Sequence, residues 1–211
     1  MRWLLLGLAG AAIFLYGRIS GDAQLSLLTK GIPVIALLLW LRQAPAGTYR
    51  SWIGIGLLCS LAGDILLDWP GDLFVFGLGA FLLGHLAYLR AYFSDTRRPA
   101  LPALLLALGA GGAMFAVLAA SGLGPMLIPV ACYALVISLM LWRALARLGN
   151  PELQPHSTYL AAAGAALFVL SDSLIGIDRF VASFAAAPYA IILSYWAGQW
   201  GITASAFARR A

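Results

Sequence analysis

Five polar features interrupt stretches that are otherwise apolar enough to cross a bilayer: Lys30, Asp64, His85, Asp172 and the Tyr195/Gln199 pair. Ionisable groups are costly in hydrocarbon, so inside a span they mark a functional site by default. Lys30 is the only lysine in the chain, whose other twelve basic residues are arginines placed almost entirely at segment ends. Two carboxyls, an imidazole and an amine can perform acid–base chemistry or couple a proton or anion to binding. They are poor material for a zinc centre: His85 and His156 are the only histidines, and His156 falls in a loop, so a three-histidine site cannot be assembled. An aspartate–histidine site is the one metal arrangement left open, and no metal or other cofactor is expected. Cys59 and Cys132 each lie in an apolar run without ligand spacing. No G-x-S-x-G elbow offers a serine nucleophile.

The elements that must position these groups are membrane helices. The 211 residues are 63% hydrophobic and 10% charged, with a mean hydropathy of +0.93, which excludes an ordinary soluble domain. The formal charge of +5 comes from arginines scattered singly or in pairs, a pattern that does not fit a nucleic-acid partner. Runs long enough to cross a bilayer predict eight spans, at about 3–19, 23–41, 50–67, 72–93, 100–120, 124–147, 157–177 and 183–207. The fold class expected is therefore all-α, a polytopic transmembrane helix bundle forming one integral membrane domain over 1–211. The segment Arg2–Tyr16 reads as a retained first helix rather than a cleaved signal peptide.

With eight spans, Arg2, Arg42, Arg50, Arg90, Arg97, Arg98, Arg143, Arg147, Arg209 and Arg210 fall on one side, and only Arg18 and Arg179 on the other. By the positive-inside rule both termini are expected in the cytoplasm, and a bacterial cytoplasmic membrane is the expected location. The oligomeric state is not legible.

Helical spacing collects the polar groups on coherent stripes: Gly56, Ser60, Gly63, Asp64 and Leu67; Gly77, Phe81, Gly84, His85 and Tyr88; Gly164, Phe168, Ser171 and Asp172; Tyr195, Gln199 and Ile202. Small residues beside polar ones suit a helix face turned toward a cavity in the bundle. At a rise of about 1.5 Å per residue, Lys30 is expected roughly 10 Å from the outer surface, Asp64 and Asp172 about 5 to 8 Å, and His85 and Tyr195 about 20 Å. Pro33 cannot donate to the Thr29 carbonyl, so a kink is expected beside Lys30. Asp68 and Asp72 read as solvated turn residues. Gly63-Asp64-Ile65-Leu66 weakly echoes Ser171-Asp172-Ser173-Leu174, compatible with a parallel four-plus-four duplication.

At these residues the chain resembles the lysoplasmalogenase, or YhhN-like, family of multi-pass membrane proteins. The resemblance rests on Lys30 to Pro33, on Gly63-Asp64 with the three residues after it, on Phe81 through Gly84-His85 to Tyr88, on Gly164 through Phe168 to Ser171-Asp172, and on Tyr195 through Gln199 to Ile202. It covers nearly the whole chain. It implies hydrolysis of the vinyl ether bond of a lysoplasmalogen or related lysophospholipid, releasing a fatty aldehyde and glycerophosphoethanolamine or glycerophosphocholine.

That reaction requires protonation of carbon and an anion beside the resulting oxocarbenium ion. Asp64 and Asp172 are the candidate acid and anion, in an order the sequence does not assign, by the two-carboxylate logic of glycosidases. His85 is the candidate water activator or alternative acid. Lys30 either keeps one aspartate ionised or binds the substrate phosphate. Tyr88, Ser171, Tyr195 and Gln199 are candidate substrate-binding side chains, though Tyr88, Tyr195 and Gln199 could equally join helices. The alternative of another class is a small transporter or lipid-binding protein with a proton- or anion-coupled intramembrane site.

Overall fold

The computed structural model describes residues 2–208; Arg209 and Arg210, part of the arginine division, lie outside them. The described residues form nine α-helices and a short 3-10 turn, Gly124–Met126: α1 (Arg2–Ser20), α2 (Ala23–Lys30), α3 (Ile32–Leu41), α4 (Thr48–Asp68), α5 (Phe74–Asp95), α6 (Leu101–Ala120), α7 (Leu127–Leu145), α8 (Pro155–Phe180) and α9 (Ala187–Ala204). Among them seven segments are long and apolar enough to cross a membrane, α2 and α3 counting as one. The expected eighth span corresponds to α9, which is not among the seven. It carries Tyr195, Trp196, Gln199 and Trp200, and most of its residues are enclosed by protein, so it has less need of an apolar surface.

The second span breaks at Gly31, between Lys30 and the Ile32-Pro33 start of α3. Pro33 has no N–H to offer Thr29 and is well suited to the first turn of a new helix. Lys30 therefore ends one short helix instead of lying within a long one. Where the sequence ended the seventh span at about 177, α8 continues to Phe180. Asp178 uses its carboxylate to accept from Ser183 Oγ (2.9 Å) and the Phe184 N–H (3.2 Å) in the loop that follows. Pro188 sits in the first turn of α9, setting that helix's start later than expected.

Two antiparallel hairpins form the centre, and the stripes of small residues make them. A Cβ on Gly56 would lie 2.1 Å from the Tyr88 ring, and one on Gly63 2.5 Å from the Phe81 ring, so α4 and α5 are interlocked ring against glycine. Contact between α8 and α9 is closer still: a Cβ on Gly164 would meet the Ile202 nitrogen at 2.6 Å and the Gly198 carbonyl oxygen at 2.7 Å. Dispersion between closely apposed backbones, rather than a hydrophobic force, drives such pairing in lipid. In contrast α6 buries only Ala107 and Leu118 and lies at the periphery.

The two ends differ in chemistry. One gathers Lys30, Asp68, Asp72 and Arg179. At the other, Arg147 is fully buried, paired with Asp95 at 2.8 Å, donating to Ser157 Oγ at 3.0 Å and flanked by the rings of Tyr49 and Tyr92. Burial draws the Arg147 pKa down, but Tyr49, Asp95 and Tyr92 more than offset it, and the guanidinium is held above its ordinary value. Arg143, also fully buried, donates to the carbonyls of Arg98 (2.6 Å) and Thr96. Both arginines, read from sequence only as charges at a segment end, join helix ends.

The glycine contacts give opposite expectations for one substitution. Gly164→Ala should destabilise the protein by about 1–3 kcal/mol through overpacking, whereas Gly112→Ala, with nothing within 4 Å, should be neutral or stabilising by up to about 1 kcal/mol. Thermal unfolding in detergent measures both; equal effects would remove backbone contact as the basis of the α8–α9 pair.

Candidate active site

A cavity of about 280 Å³ lies at the Asp68 end, enclosed by α1, α2, α4, α5, α8 and α9. Asp64, on the α4 stripe one turn before the helix end, is 2% exposed in its wall and accepts a hydrogen bond from the Tyr195 hydroxyl at 2.7 Å. Tyr195 is fixed by edge-on contacts with Phe81 and Phe168, at ring separations of 5.7 and 5.3 Å. Across the same cavity, Asp172 of α8 receives the Tyr133 hydroxyl from α7 at 2.5 Å. The two aspartates are close enough to interact electrostatically.

His85 completes a triangle with these groups, its Nε2 lying 2.8 Å from Tyr133 Oη and 3.1 Å from Asp172 Oδ2. Tyr133 has a single proton and gives it to Asp172, so the one Nε2–H of His85 is shared between the Tyr133 oxygen and Asp172 Oδ2. The imidazole is fully buried and, like Tyr133, outside the cavity lining, which it reaches through Asp172.

Charge is arranged above the aspartates. Lys30 Nζ donates to Asp68 Oδ1 at 2.8 Å, with the lysine side chain 12% exposed and that of Asp68 34%. Asp68 thus differs from the free turn residue expected: it lies one helical turn after Asp64, on the same face. Arg179 donates to both oxygens of Asp72 (3.0 and 3.2 Å) and lies 4.0 Å over the Phe74 ring. Arg18 also lines the cavity and makes no ion pair among the described residues.

Of the side chains singled out in the sequence, Lys30, Asp64, Ser171, Asp172 and Tyr195 line this one cavity. Ser171 Oγ is occupied by the Ile191 carbonyl at 3.0 Å. Tyr88 and Gln199 are outside it, joined to each other at 2.6 Å in a fully buried bond between α5 and α9. Depth also differs from the sequence estimate. Measured from the observed helix ends, Asp172 and Tyr195 are each about 12 Å in and His85 about 16 Å, because α8 ends later and α9 starts later than expected. The groups are therefore level enough to bond instead of forming two layers. Tyr133, Asp68, Arg18 and Arg179 were missed. A lone tyrosine in the middle of a span was a usable signal for Tyr133, and the four-residue spacing from Asp64 was one for Asp68. Among the described residues no three His, Cys, Asp or Glu side chains are grouped to hold a metal ion.

A family model described as the YhhN family matches residues 25–206. A human protein named lysoplasmalogenase TMEM86B is 36% identical over 181 residues, covering 85% of this chain and 74% of that protein. Its rat counterpart of the same name is 33% identical over 209 residues, covering 97% and 84%. A Mycobacterium tuberculosis protein named lysoplasmalogenase is 32% identical over 225 residues, covering 97% and 83%. No solved structure matches the chain.

The Lys30–Asp68 contact predicts non-additivity. Lys30→Met and Asp68→Asn should each lower the unfolding temperature, and the double variant should fall no further than the worse single one, a coupling of about 0.5–1 kcal/mol. Strictly additive losses in a double-mutant cycle would dissolve the pair.

Proposed function

The chain belongs to the YhhN family, and from that premise and the geometry of the cavity we propose that it is an integral membrane hydrolase that cleaves the vinyl ether bond of lysoplasmalogens. The products are a fatty aldehyde and glycerophosphoethanolamine or glycerophosphocholine. One observation carries the proposal: two aspartates from different helix hairpins line one cavity, each held by a tyrosine hydroxyl. Relatives similar over most of their length and named lysoplasmalogenase support the same activity.

In the proposed mechanism Asp64 is the acid. It transfers its proton to the alkenyl carbon one removed from the ether-bearing carbon, and the double bond's electrons form the new C–H bond. The oxygen-bearing carbon becomes an oxocarbenium ion. Asp172, with Tyr133 and His85 directed at one of its oxygens, acts as the carboxylate that stabilises this cation. Water adds to the cationic carbon and returns a proton to Asp64, giving a hemiacetal. Collapse of the hemiacetal frees the aldehyde and leaves a hydroxyl on the glycerophospho fragment. One water is consumed, and Asp64 ends as it began. The division of labour between carboxyl groups is that of glycoside hydrolysis, whose transition state is also oxocarbenium-like.

The cations at the mouth suit a phosphodiester. Arg18 and Arg179 take its charge in this proposal, while Lys30 remains with Asp68 and supplies a fixed positive field close to Asp64. With the arginine-poor end facing away from the cytoplasm, the cavity opens to the outer side of a bacterial cytoplasmic membrane, and the N-terminus and the end of α9 face inward.

Two measurements test this on purified protein in detergent, where no gradient exists to drive a carrier. Asp64→Asn and Asp172→Asn should each lower aldehyde release from a lysoplasmalogen by at least about a hundredfold with unfolding temperature maintained; full activity in either would remove that residue from the chemistry. Arg18→Met should raise KM about tenfold with kcat kept, the loss of one charge-assisted contact; an unchanged KM would exclude Arg18 from phosphate binding.

A further inference from the structure

The apolar side chains fall into two clusters. The main core runs through α1, α3, α4, α5, α7, α8 and α9 and takes in Ala107 of α6. A smaller one, built on Leu118, Leu123 and Val130 with Phe180 packed against it, joins the outer ends of α6 and α7 to α8. Between them lies a cavity of about 60 Å³, walled by Leu67, Leu78 and Phe81 on the core side and by Leu118, Val130 and Phe180 on the other. Its polar side chains are Tyr133 and Asp172. It shares Leu67, Phe74, Phe81, Asp172 and Ile175 with the larger, charged cavity. The two spaces therefore adjoin across these side chains, Asp172 the one polar group among them, with cations on one side and hydrocarbon on the other.

We infer that this seam between the clusters seats the alkenyl chain of the substrate, with Leu118, Val130, Gly176 and Phe180 setting which chains fit. The inference rests on the hydrolase proposal and deepens it. A lysoplasmalogen changes from a charged glycerophospho group to a hydrocarbon chain at its vinyl ether bond. A protein that protonates that bond needs a polar compartment on one side of its carboxylates and an apolar one on the other. The site has that polarity, and Asp172 stands at its inflection. The enclosed part accommodates only the first carbons beyond the reacting bond, and the remainder follows the seam between α6, α7 and α8 toward lipid. There α6 is the natural moving wall, since it buries only Ala107 and Leu118. Gly176 packs closely there: a Cβ on it would lie 2.9 Å from Leu118 Cδ1. Apart from Asp172 and Tyr133, which bond each other, the side chains along this path are apolar, so occupancy by hydrocarbon is favoured by apolar burial.

The open apolar hollow between Leu66 and Leu83 on the outer face of α4 and α5 is the competing place for a chain. It shares no lining residue with the aspartate cavity, and a chain lying there would not present its vinyl ether to Asp64 or Asp172.

Leu118 is remote in sequence from the aspartates and can be changed in both directions. Leu118→Trp should raise KM at least tenfold for a hexadecenyl substrate and less than twofold for a butenyl one, while Leu118→Ala should shift preference toward bulkier chains. Equal losses on both chain lengths, or no change in either, would overturn the seat. A second measurement needs neither a variant nor turnover: wild-type protein is irradiated with a saturated alkyl-ether lysophospholipid carrying a diazirine on its chain. Labels on the segments containing Leu118, Val130 and Phe180 are expected. Labels confined to the outer face of α4 and α5, or none, would overturn the seat even if aldehyde is released normally. Labels at the seam without aldehyde release would instead overturn the hydrolase proposal and leave an apolar lipid site standing.

Discussion

A carboxylate enclosed among apolar helices must be met by a donor from another helix, and the centre of this structure is organised by that requirement. Desolvating such a group without a partner costs several kcal/mol, more than a typical helix–helix contact returns. Asp64 is met by Tyr195 of α9, and Asp172 by Tyr133 of α7 and His85 of α5. In the case of the two central hairpins the exchange is reciprocal. The aspartate of α4 is satisfied from the α8–α9 hairpin, and the aspartate of α8 in part from the α4–α5 hairpin. The acids therefore tie the hairpins together.

Such bonds form only if helices approach closely, which is where the glycines enter. Gly56 and Gly63 admit the rings of Tyr88 and Phe81, and Gly164 and Gly198 bring the backbones of α8 and α9 into contact. Phe81, Phe168 and Tyr195 then pack edge to face at the junction, so the ring that orients the Asp64 donor is itself held from both hairpins. Packing and polar satisfaction are in this way one arrangement. The faint likeness between Gly63-Asp64 and Ser171-Asp172 acquires a physical content here: both are a small residue beside an acid, on equivalent helices of two hairpins that satisfy each other.

Much of this was legible in the sequence because it depends on period and composition. The stripes through Asp64, His85 and Asp172 follow from helical spacing, and the helices they lie on follow from long apolar runs. Partner identity was not legible, since it depends on helix ends that a few residues can move. With α9 starting at Ala187, Tyr195 rises to within a side chain's reach of Asp64. Tyr133 lay in a span with no other polar landmark near it, and its value as a donor depends wholly on α7 abutting α5 and α8. Asp68 looked like part of a turn because Trp69-Pro70-Gly71 follows it; only the break at Gly31 carries Lys30 within reach.

The same break bears on what Lys30 can do. A cation can bind an incoming phosphate only if it is free or if its present partner is cheaply displaced. The Arg179–Asp72 pair is the more exposed, with side chains 42% and 72% accessible, and exposed pairs contribute at most about 1 kcal/mol. Lys30 and Asp68 are at 12% and 34%, so separating them would leave a less hydrated ammonium and carboxylate to be compensated. Arg18 has no competing partner among the described residues. In the proposed reaction phosphate is therefore assigned to Arg18 and Arg179, and the lone lysine to the role of a fixed charge, held one helical turn beyond Asp64 by Asp68 and acting through its field rather than by direct contact.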